Sequence, residues 1–389
     1  MKRNRVALAV SMFFADSLII SSVTVHAQAL KGEVKLGALI PLSGFASGFG
    51  QPQQIAMDMA VEDINKSGGI LGAKLNMLLY DDESKGEKSI LGFRKFVTQD
   101  NALAVIGPFL STQCEVVFPL ANRFKAIAIS ASAGKAGLAE GNRPYAFVNF
   151  TTDQDTMPPA VKYWQKKHNI KTAAIVTDIK DALNKSTGTI VMPKLLQDAG
   201  IKIIGTSEFV TGEMDFSAQV TKFKGLNPDG IVLSCTIADA AGFAKEARKQ
   251  GLKTPFIGGV SIQSTKFIEL AGADAEGTVT AVSFWVDNQD PKVVSFVREY
   301  RKRHGGRDPI PQAAAMYETI MMLKQVIEKN GVTNKGSDLA SDRDKIQKGL
   351  AGLKDFKGLT GNLTMSPGGT VSKEAYVIVV KDGKFVMPQ

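Results

Sequence analysis

From residue 33 onwards, short apolar runs alternate with longer segments in which apolar residues recur every three or four positions. Ile55, Met59 and Ile64 mark the first such helix, which ends at a Gly-Gly turn. Further helices are predicted at 85–99 and 115–124, and strands at 34–40, 74–80, 103–106 and 126–129. Alternation of this kind implies right-handed crossovers and a parallel sheet.

The same alternation starts again after an extended connection at residues 143–152. It predicts helices at 188–199, 216–224, 238–250 and 264–271, and strands at 171–177, 201–205, 230–235, 254–258 and 277–282. Next come amphipathic helices and extended segments at 290–304, 311–330, 361–365 and 375–381. The predicted fold class is therefore α/β, with two Rossmann-like, doubly wound lobes and a cleft in which a ligand binds.

The first 27 residues are typical of a secretory signal peptide. Three cations precede an apolar run, and small residues suit cleavage near Ala27 or Ala29. Asp16 interrupts the run, which is then too short for a retained membrane span. Cleavage removes three cations and one anion, and the net charge of +9 falls to about +7. We therefore expect an exported protein.

Several kinds of chemistry are excluded by composition. Lys and Arg are scattered with no basic run interleaved with aromatics, so no nucleic acid is expected as a partner. His168 and His304 lie in cationic helix ends, and no Ser-His-Asp base, Gly-x-Ser-x-Gly elbow or Walker loop is present. Cys114 and Cys235 are expected to be free and buried, with no metal-site spacing. We expect no enzyme, no cofactor and no metal.

Two strand ends carry candidate binding loops. The run at 104–106 stops at Gly-Pro, and Ser111 and Thr112 follow where a helix begins. The next strand is followed by the Ser-rich turn 130–134. A helix N-terminus offers unpaired N–H groups and a positive dipole end, so the two loops together suit a carboxylate. Ordinary helix capping by the hydroxyls is the alternative.

Three glycines, Gly44, Gly48 and Gly50, also lie between a strand and a helix, as they would in a nucleotide-binding loop. Their spacing is not Gly-x-Gly-x-x-Gly, so we interpret them as backbone flexibility at the rim of the cleft.

Several motifs resemble the leucine/isoleucine/valine-binding proteins, which are solute receptors of ABC importers with a type I periplasmic binding fold. The motifs are KLGALIPLSG at 35–44, DINKSGGILG at 63–72, YDD at 80–82, IGP at 106–108, DF at 215–216, NPD at 227–229 and GLKTPFIG at 251–258. The resemblance implies a periplasmic monomer that docks on an inner-membrane permease. It also implies hinge crossings near 149–152, 281–284 and 356–361. One lobe would then comprise 33–150 and 285–357, and the other 151–284 and 358–389.

The resemblance also implies how a ligand is held. Ser111, Thr112, Ser132 and Ala133 would engage its carboxylate, in agreement with the loops described above. Phe49 falls where the family places an aromatic over the ligand side chain.

Departures from the family pattern lie in the second lobe. Val260 stands where the family has the acid that receives an amino acid's ammonium. Ala182 and Thr236 replace two family aromatics. A buried ammonium without a partner costs about 3–5 kcal/mol, roughly two to four decades in affinity. We therefore predict an aromatic or aliphatic organic acid, in a pocket walled by Phe49 and Phe109.

Alternatives remain open at this point. Asp181 or Asp239 would replace the missing acid if either lay in the pocket, but solvated loop positions are expected for both. The chain would then be a receptor for leucine, isoleucine and valine. A ligand sensor for a signalling partner is a further alternative, and an exported hydrolase is disfavoured by the missing base.

Overall fold

The computed structural model describes residues 29–388 and contains two β-sheets with helices on both faces. The predicted signal peptide, residues 1–27, lies outside the described residues. Two doubly wound units are present, as the alternation of strands and helices predicts.

The first sheet has the strand order β2-β1-β3-β4-β5, and all its neighbouring strands are parallel. The strands are β1 (Glu33–Ile40), β2 (Lys74–Asp81), β3 (Ala104–Ile106), β4 (Ile127–Ser130) and β5 (Ala146–Val148). The crossovers between them are the helices α1 (Ser47–Lys66), α2 (Gly86–Thr98) and α3 (Ser111–Phe124). All residues of β3, β4 and β5 are buried, as in a sheet covered on both faces.

The second sheet has the order β14-β13-β10-β9-β8-β6-β7. Its parallel strands are β6 (Thr172–Asp178), β7 (Lys202–Phe209), β8 (Gly230–Ser234), β9 (Phe256–Gly258) and β10 (Val279–Val282). Its helices are α4 (Asp153–His168), α5 (Ala182–Ser186), α6 (Met192–Asp198), α7 (Ser217–Leu226), α8 (Ile237–Lys249) and α9 (Thr265–Ala271). After α10 (Pro291–Arg303), α11 (Pro311–Lys329) and α12 (Leu339–Ala351), the chain forms the hairpin β11 (Phe356–Gly358) and β12 (Gly361–Leu363). It ends in the antiparallel strands β13 (Tyr376–Lys381) and β14 (Lys384–Val386).

Two helices, α4 and α12, were not predicted. Pro158 and Pro159 and a polar composition conceal α4 in the sequence. Its start does carry a signal, because Thr152 caps the helix and accepts a hydrogen bond from the backbone N–H of Asp155. The predicted helix 188–199 in fact begins earlier, at Ala182, and runs through a wider turn at Thr187–Val191.

The interpretation of the three glycines as a flexible rim is wrong for Gly48 and Gly50, whereas Gly44 does lie in the loop before α1, with a positive φ of 79°. Helix α1 already begins at Ser47, so that Gly48 and Gly50 lie in its first turn. A Cβ atom on Gly50 would lie 1.9 Å from the carbonyl oxygen of Pro41. Gly50 therefore allows α1 to pack directly against the loop that follows β1.

The chain passes between the two sheets after β5, after β10 and again near its C-terminus. The third crossing was predicted at 356–361, with residues 358–389 in the second lobe. In the structure, Leu363 and Met365 are buried in the core of the first lobe, and Thr370 pairs with Val148 at the end of β5. We therefore propose that this crossing lies at residues 372–375, just before β13.

Candidate ligand-binding site

A pocket lies between the two lobes, where the carboxyl ends of strands from both sheets face each other. Its free volume is about 50 Å³ in this closed arrangement of the lobes. The first lobe lines it with Phe45, Ala46, Phe49, Phe109, Leu110, Ser111, Ser132 and Gln312. The second lobe lines it with Asp181, Leu183, Asn184, Thr236, Ile237, Val260 and Ser261.

A larger groove of about 950 Å³ lies elsewhere, between α1, α10 and α11. Charged side chains of both signs line it and pair with one another, as Arg303 does with Glu299 and Glu62. It lacks the converging helix N-termini of the cleft. We therefore take the smaller pocket as the candidate site.

The N-terminus of α3 supplies unpaired donors to the pocket. Its N-cap residue is Leu110, whose side chain cannot accept a hydrogen bond, and only the backbone N–H of Leu110 is tied back, to Gln113 Oε1 at 3.0 Å. The first N–H groups of the helix are thus left without a side-chain cap. Ser111 is buried beside them, and its Oγ accepts a hydrogen bond from the N–H of Lys135, so that its hydroxyl proton can point to a ligand.

Ser130 ties the two predicted loops together. Its Oγ donates to the carbonyl of Pro108 at 2.7 Å and accepts from the N–H of Ala133 at 3.0 Å. Ser132 Oγ in turn donates to the carbonyl of Phe109 at 2.8 Å. The donors of Ser132 and Ala133 that were predicted to hold a carboxylate are therefore engaged within the protein. A ligand would have to replace these bonds to be held by them.

Two aromatic rings form one wall of the pocket. Phe49 and Phe109 pack with ring centroids 5.2 Å apart and planes tilted by 32°. Phe49 lies on the first turn of α1 rather than in a loop, and it is 8% exposed. The close approach of Gly50 to Pro41 places this turn at the cleft.

Thr112 joins the two lobes across the pocket. Its Oγ1 lies 3.4 Å from Oδ2 of Asp181 and accepts a hydrogen bond from the N–H of Ala182 at 2.9 Å. Thr112 and Ala182 were predicted to contact the ligand, but they are not among the pocket-lining residues. Instead they bridge the two lobes. Contacts of this kind show that the cleft is closed.

Asp181 is buried in the pocket, and the expectation that it is a solvated loop acid was wrong. It caps α5, where its Oδ1 accepts from the N–H of Asn184 at 2.9 Å and from the Asn184 amide at 3.0 Å. Burial, with a smaller contribution from the neighbouring Asp178 carboxylate, raises the pKa of Asp181 to about 6. The carboxyl group is therefore poorly stabilised as an anion unless a cation joins it.

Asp239 is also buried, again against expectation. It accepts hydrogen bonds from the N–H of Gly212 at 3.1 Å and from Thr236 Oγ1 at 2.7 Å. It does not line the pocket, whereas Thr236 does. Asp239 therefore fixes the orientation of a pocket residue and is not itself placed to touch a ligand.

Val260 lines the pocket, and its side chain packs against the first lobe. A Cβ atom on Gly134 would lie 2.8 Å from Val260 Cγ2. The backbone N–H of Val260 donates to Oδ1 of the buried Asp153 at 2.7 Å, and the Thr187 hydroxyl donates to the other oxygen of that carboxyl group. An apolar side chain therefore fills the position at which the resemblance implied an acid.

The sequence did not indicate three polar residues of the pocket. Asn184 links Asp181 to Ser261, whose Oγ donates to Asn184 Oδ1 at 2.7 Å. Gln312 begins α11, and its buried Oε1 atom has no hydrogen-bond partner within residues 29–388. Asn184 could have been found from the N-cap pattern that starts at Asp181. No local sequence pattern indicated Gln312, because it follows the second crossing and only the fold of the chain brings it to the pocket.

Other predictions concern the rest of the chain. Cys114 and Cys235 are both free and buried, as predicted, and burial raises the pKa of each thiol. No cluster of three His, Cys, Asp or Glu suited to a metal was found in the described part of the chain. None of the helices between residues 29 and 388 has an apolar stretch long enough to cross a membrane.

Two lobes of this topology around a closable cleft define the class of solute-binding proteins. The chain belongs to the periplasmic binding protein family, whose model matches residues 33–384. It is a type I periplasmic binding protein similar to the leucine/isoleucine/valine-binding proteins, and a substrate-binding protein of the branched-chain amino acid ABC transporter type.

Relatives and solved structures agree with this assignment. A leucine-, isoleucine-, valine-, threonine- and alanine-binding protein of Pseudomonas aeruginosa is 25% identical over 332 residues, 85% of each chain. The substrate-binding protein LivJ of Streptococcus pneumoniae, solved with isoleucine, is 26% identical, with a TM-score of 0.81 over 92% of this chain and 100% of that one. A solute-binding protein of Rhodopseudomonas palustris, solved with 3,4-dihydroxybenzoic acid, shares the fold at 20% identity, with a TM-score of 0.79 over 91% of this chain and 95% of that one.

Proposed function

We propose that this chain is an exported periplasmic receptor that binds a small carboxylate-bearing solute in its cleft and presents it to an ABC permease. The uncapped N-terminus of α3 is the observation that carries the proposal. Together with the Ser111 hydroxyl it offers neutral donors to an anion, in a pocket that is otherwise mainly apolar.

An α-amino acid with a short apolar side chain fits the polar groups of this pocket best. Asp181 is the only ionisable side chain among the pocket-lining residues that the structure describes. An ammonium beside Asp181 would stabilise its buried carboxylate, and Gln312 Oε1 offers a further acceptor. The ligand side chain would then lie against Phe49, Phe109 and Val260. Asp181 removes the main reason for excluding an amino acid, because the missing acid at Val260 has a substitute across the pocket.

An organic acid without an ammonium is the second candidate. Val260 in place of the family's acid favours it, and the structurally similar protein of Rhodopseudomonas palustris holds 3,4-dihydroxybenzoic acid. The paired rings of Phe49 and Phe109 would cover an aromatic or aliphatic body. Asp181 would then have to be protonated beside the ligand carboxylate, and its raised pKa lowers the cost of that step.

Closure of the lobes gives the signal for transport in this proposal. A ligand that bridges α3 and Asp181 binds only the closed form and shifts the population towards it. The permease then recognises the closed shape of what we expect to be a monomer. A ligand sensor would use the same closure with a different partner, and copurification with a permease distinguishes the two functions.

Isothermal titration calorimetry on refolded, ligand-stripped protein tests the ligand class. The probes are leucine, 4-methylpentanoate (the same skeleton without the amine) and benzoate. Tight binding of leucine alone supports an amino-acid receptor, and tight binding of either plain acid supports an organic-acid receptor. Binding of none of the three in the micromolar range contradicts the carboxylate proposal for solutes of this size.

A further inference from the structure

A fully buried ion pair lies between two of the segments that connect the lobes. Lys373 Nζ is 2.7 Å from Glu318 Oε1, and both side chains are shielded from solvent. Glu318 also accepts hydrogen bonds from the N–H of Thr360 at 2.9 Å, from its hydroxyl, and from the Asn149 amide at 3.2 Å. Lys373 Nζ donates a second bond to the carbonyl of Asn149 at 3.3 Å.

The partners of this pair come from distant parts of the chain. Glu318 is in the middle of α11, and Thr360 forms the tip of the hairpin β11–β12. Asn149 follows β5, where the chain leaves the first sheet, and Lys373 lies where it leaves the first lobe for the last time. A Cβ atom on Gly358 would lie 2.2 Å from the Glu318 carboxylate, so that the hairpin is fitted closely around this acid. The ion pair thus fixes the starts of two crossings against one helix.

Fold stability alone does not account for such a pair. Desolvation of two charges offsets most of their attraction, and well-packed apolar residues often serve stability equally well. A fully hydrogen-bonded polar network differs from an apolar contact because it fixes one geometry. The ion pair therefore matters because it holds Asn149 in one position.

From Asn149, backbone bonds lead directly to the ligand pocket. The N–H of Asn149 donates to the carbonyl of Ser130 at 2.8 Å. The hydroxyl of Ser130 in turn accepts from the N–H of Ala133 and donates to the carbonyl of Pro108, so that it organises both loops at the carboxylate end of the pocket. Lys373, Asn149 and Ser130 form one continuous chain of hydrogen bonds from the hinge to the pocket.

We propose that Glu318 and Lys373 are positioning residues for ligand binding, which act through Asn149 and Ser130 on the pocket loop 130–134. The link to ligand binding rests on the proposed function of the cleft, whereas the effect on the loop does not. Without the pair, the first crossing loses its anchor and the loop samples arrangements that do not hold a ligand. Binding then weakens although no residue in contact with the ligand has changed.

Amide hydrogen exchange on the unliganded full chain tests the effect on the loop. The variant Glu318→Gln with Lys373→Met removes both charges, and Glu318→Gln with Lys373→Gln is a second neutral form, also without an unpaired buried charge, in case the first does not fold. Lys324→Met with Glu328→Gln removes an ion pair on the same helix whose side chains are 23% and 26% exposed, and is the matched control. We expect the amides of Ala133 and Asn149 to exchange at least ~10-fold faster in the double variant, relative to the core amide of Val232, and to be unchanged in the control.

Titration of the same proteins with leucine and with benzoate follows. Whichever probe the wild type binds should bind about 10-fold more weakly to the double variant, a change of about 1.4 kcal/mol, and equally well to the control. Exchange that accelerates equally at all three amides, or at none, overturns the positioning role. If the wild type binds neither probe, the proposed ligand class fails, and hydrogen exchange still decides the effect on the loop.

Discussion

Thr112 and Asp181 meet across the closed cleft, with Thr112 Oγ1 3.4 Å from Asp181 Oδ2 and 2.9 Å from the N–H of Ala182. Thr112 lies in the first turn of α3 in the first lobe, and Asp181 caps α5 in the second. Two helix N-termini are therefore brought together on either side of the pocket. This contact can form only when the lobes close, so it couples closure to the residue that we expect to bind an ammonium.

Thr112→Val should weaken ligand binding without unfolding the protein. The change keeps the shape of the side chain but removes both hydrogen bonds between the lobes, a loss of about 1–2 kcal/mol, or roughly 5–30-fold in Kd. Calorimetric titration with leucine and with benzoate measures it. Thr98→Val is the control, because the Thr98 hydroxyl bonds only within α2 at an exposed site. Equal affinity of wild type and Thr112→Val for a bound probe would contradict the role in closure.

Asp181→Asn should separate the two ligand classes. The amide is isosteric and caps a helix as well as Asp does, but it carries no charge for an ammonium. We expect leucine affinity to fall by roughly 100-fold or more, since removal of one partner of a buried charge pair costs about 3–5 kcal/mol. Benzoate should bind equally well or better. An unchanged affinity for leucine would place the ammonium elsewhere.

The same variant should be more stable than the wild type at neutral pH. The pKa of Asp181 is about 6 in the folded protein against 3.8 for an ordinary Asp, so ionisation costs the folded state up to ~3 kcal/mol. This cost is absent well below pH 4, grows between about pH 4 and pH 6, and is constant at higher pH. Urea titrations should therefore show Asp181→Asn more stable by about 1–3 kcal/mol at pH 7 and no more stable at pH 4. Equal stability at pH 7 would mean that burial of this carboxylate is already compensated.

Ligand affinity should depend on pH with opposite signs for the two classes. An ammonium needs ionised Asp181, whose population falls about tenfold between pH 7 and pH 5 if its pKa is about 6. Leucine should therefore bind roughly tenfold more weakly at pH 5, and benzoate more tightly, because protonation removes the like charge of Asp181. In Asp181→Asn the affinity should be flat over this range, and a slope that persists there would assign the effect to another group.

Much of the fold could be predicted because it depends on local patterns. Buried runs such as Ala104–Ile106 are apolar throughout, and the helices between them show regular periodicity. Helix α4 was not predicted because two prolines and many charges weaken its hydrophobic periodicity, although Thr152 provided a capping signal. The lobe boundary that we propose near residue 372 could not be predicted from local sequence, because it is inferred from the pairing of Thr370 with Val148.

The candidate site was predictable in position but not in its hydrogen bonds. Phe49, Phe109 and Ser111 were expected in the pocket and line it. Which donors remain for a ligand depends on contacts between loops, such as Ser130 with Pro108, that no spacing reveals. The burial of Asp181 depends on how the second lobe closes over the first. The sequence therefore indicated part of the pocket lining and misjudged the environment of Asp181, on which the proposed ligand class depends.

Measured stability should distinguish a charge pair from simple packing. The comparison is between Lys373→Met and the double variant Lys373→Met with Glu318→Gln. Loss of Lys373 alone leaves the Glu318 carboxyl group buried without its cation, so we expect a destabilisation of about 3–5 kcal/mol in urea titrations. Neutralising Glu318 as well removes the unpaired charge and should recover most of that loss, since Gln still accepts from Thr360. If the pair served packing only, the second change would add to the first. Recovery of stability together with weaker ligand binding would show that the pair is retained for the geometry of the pocket.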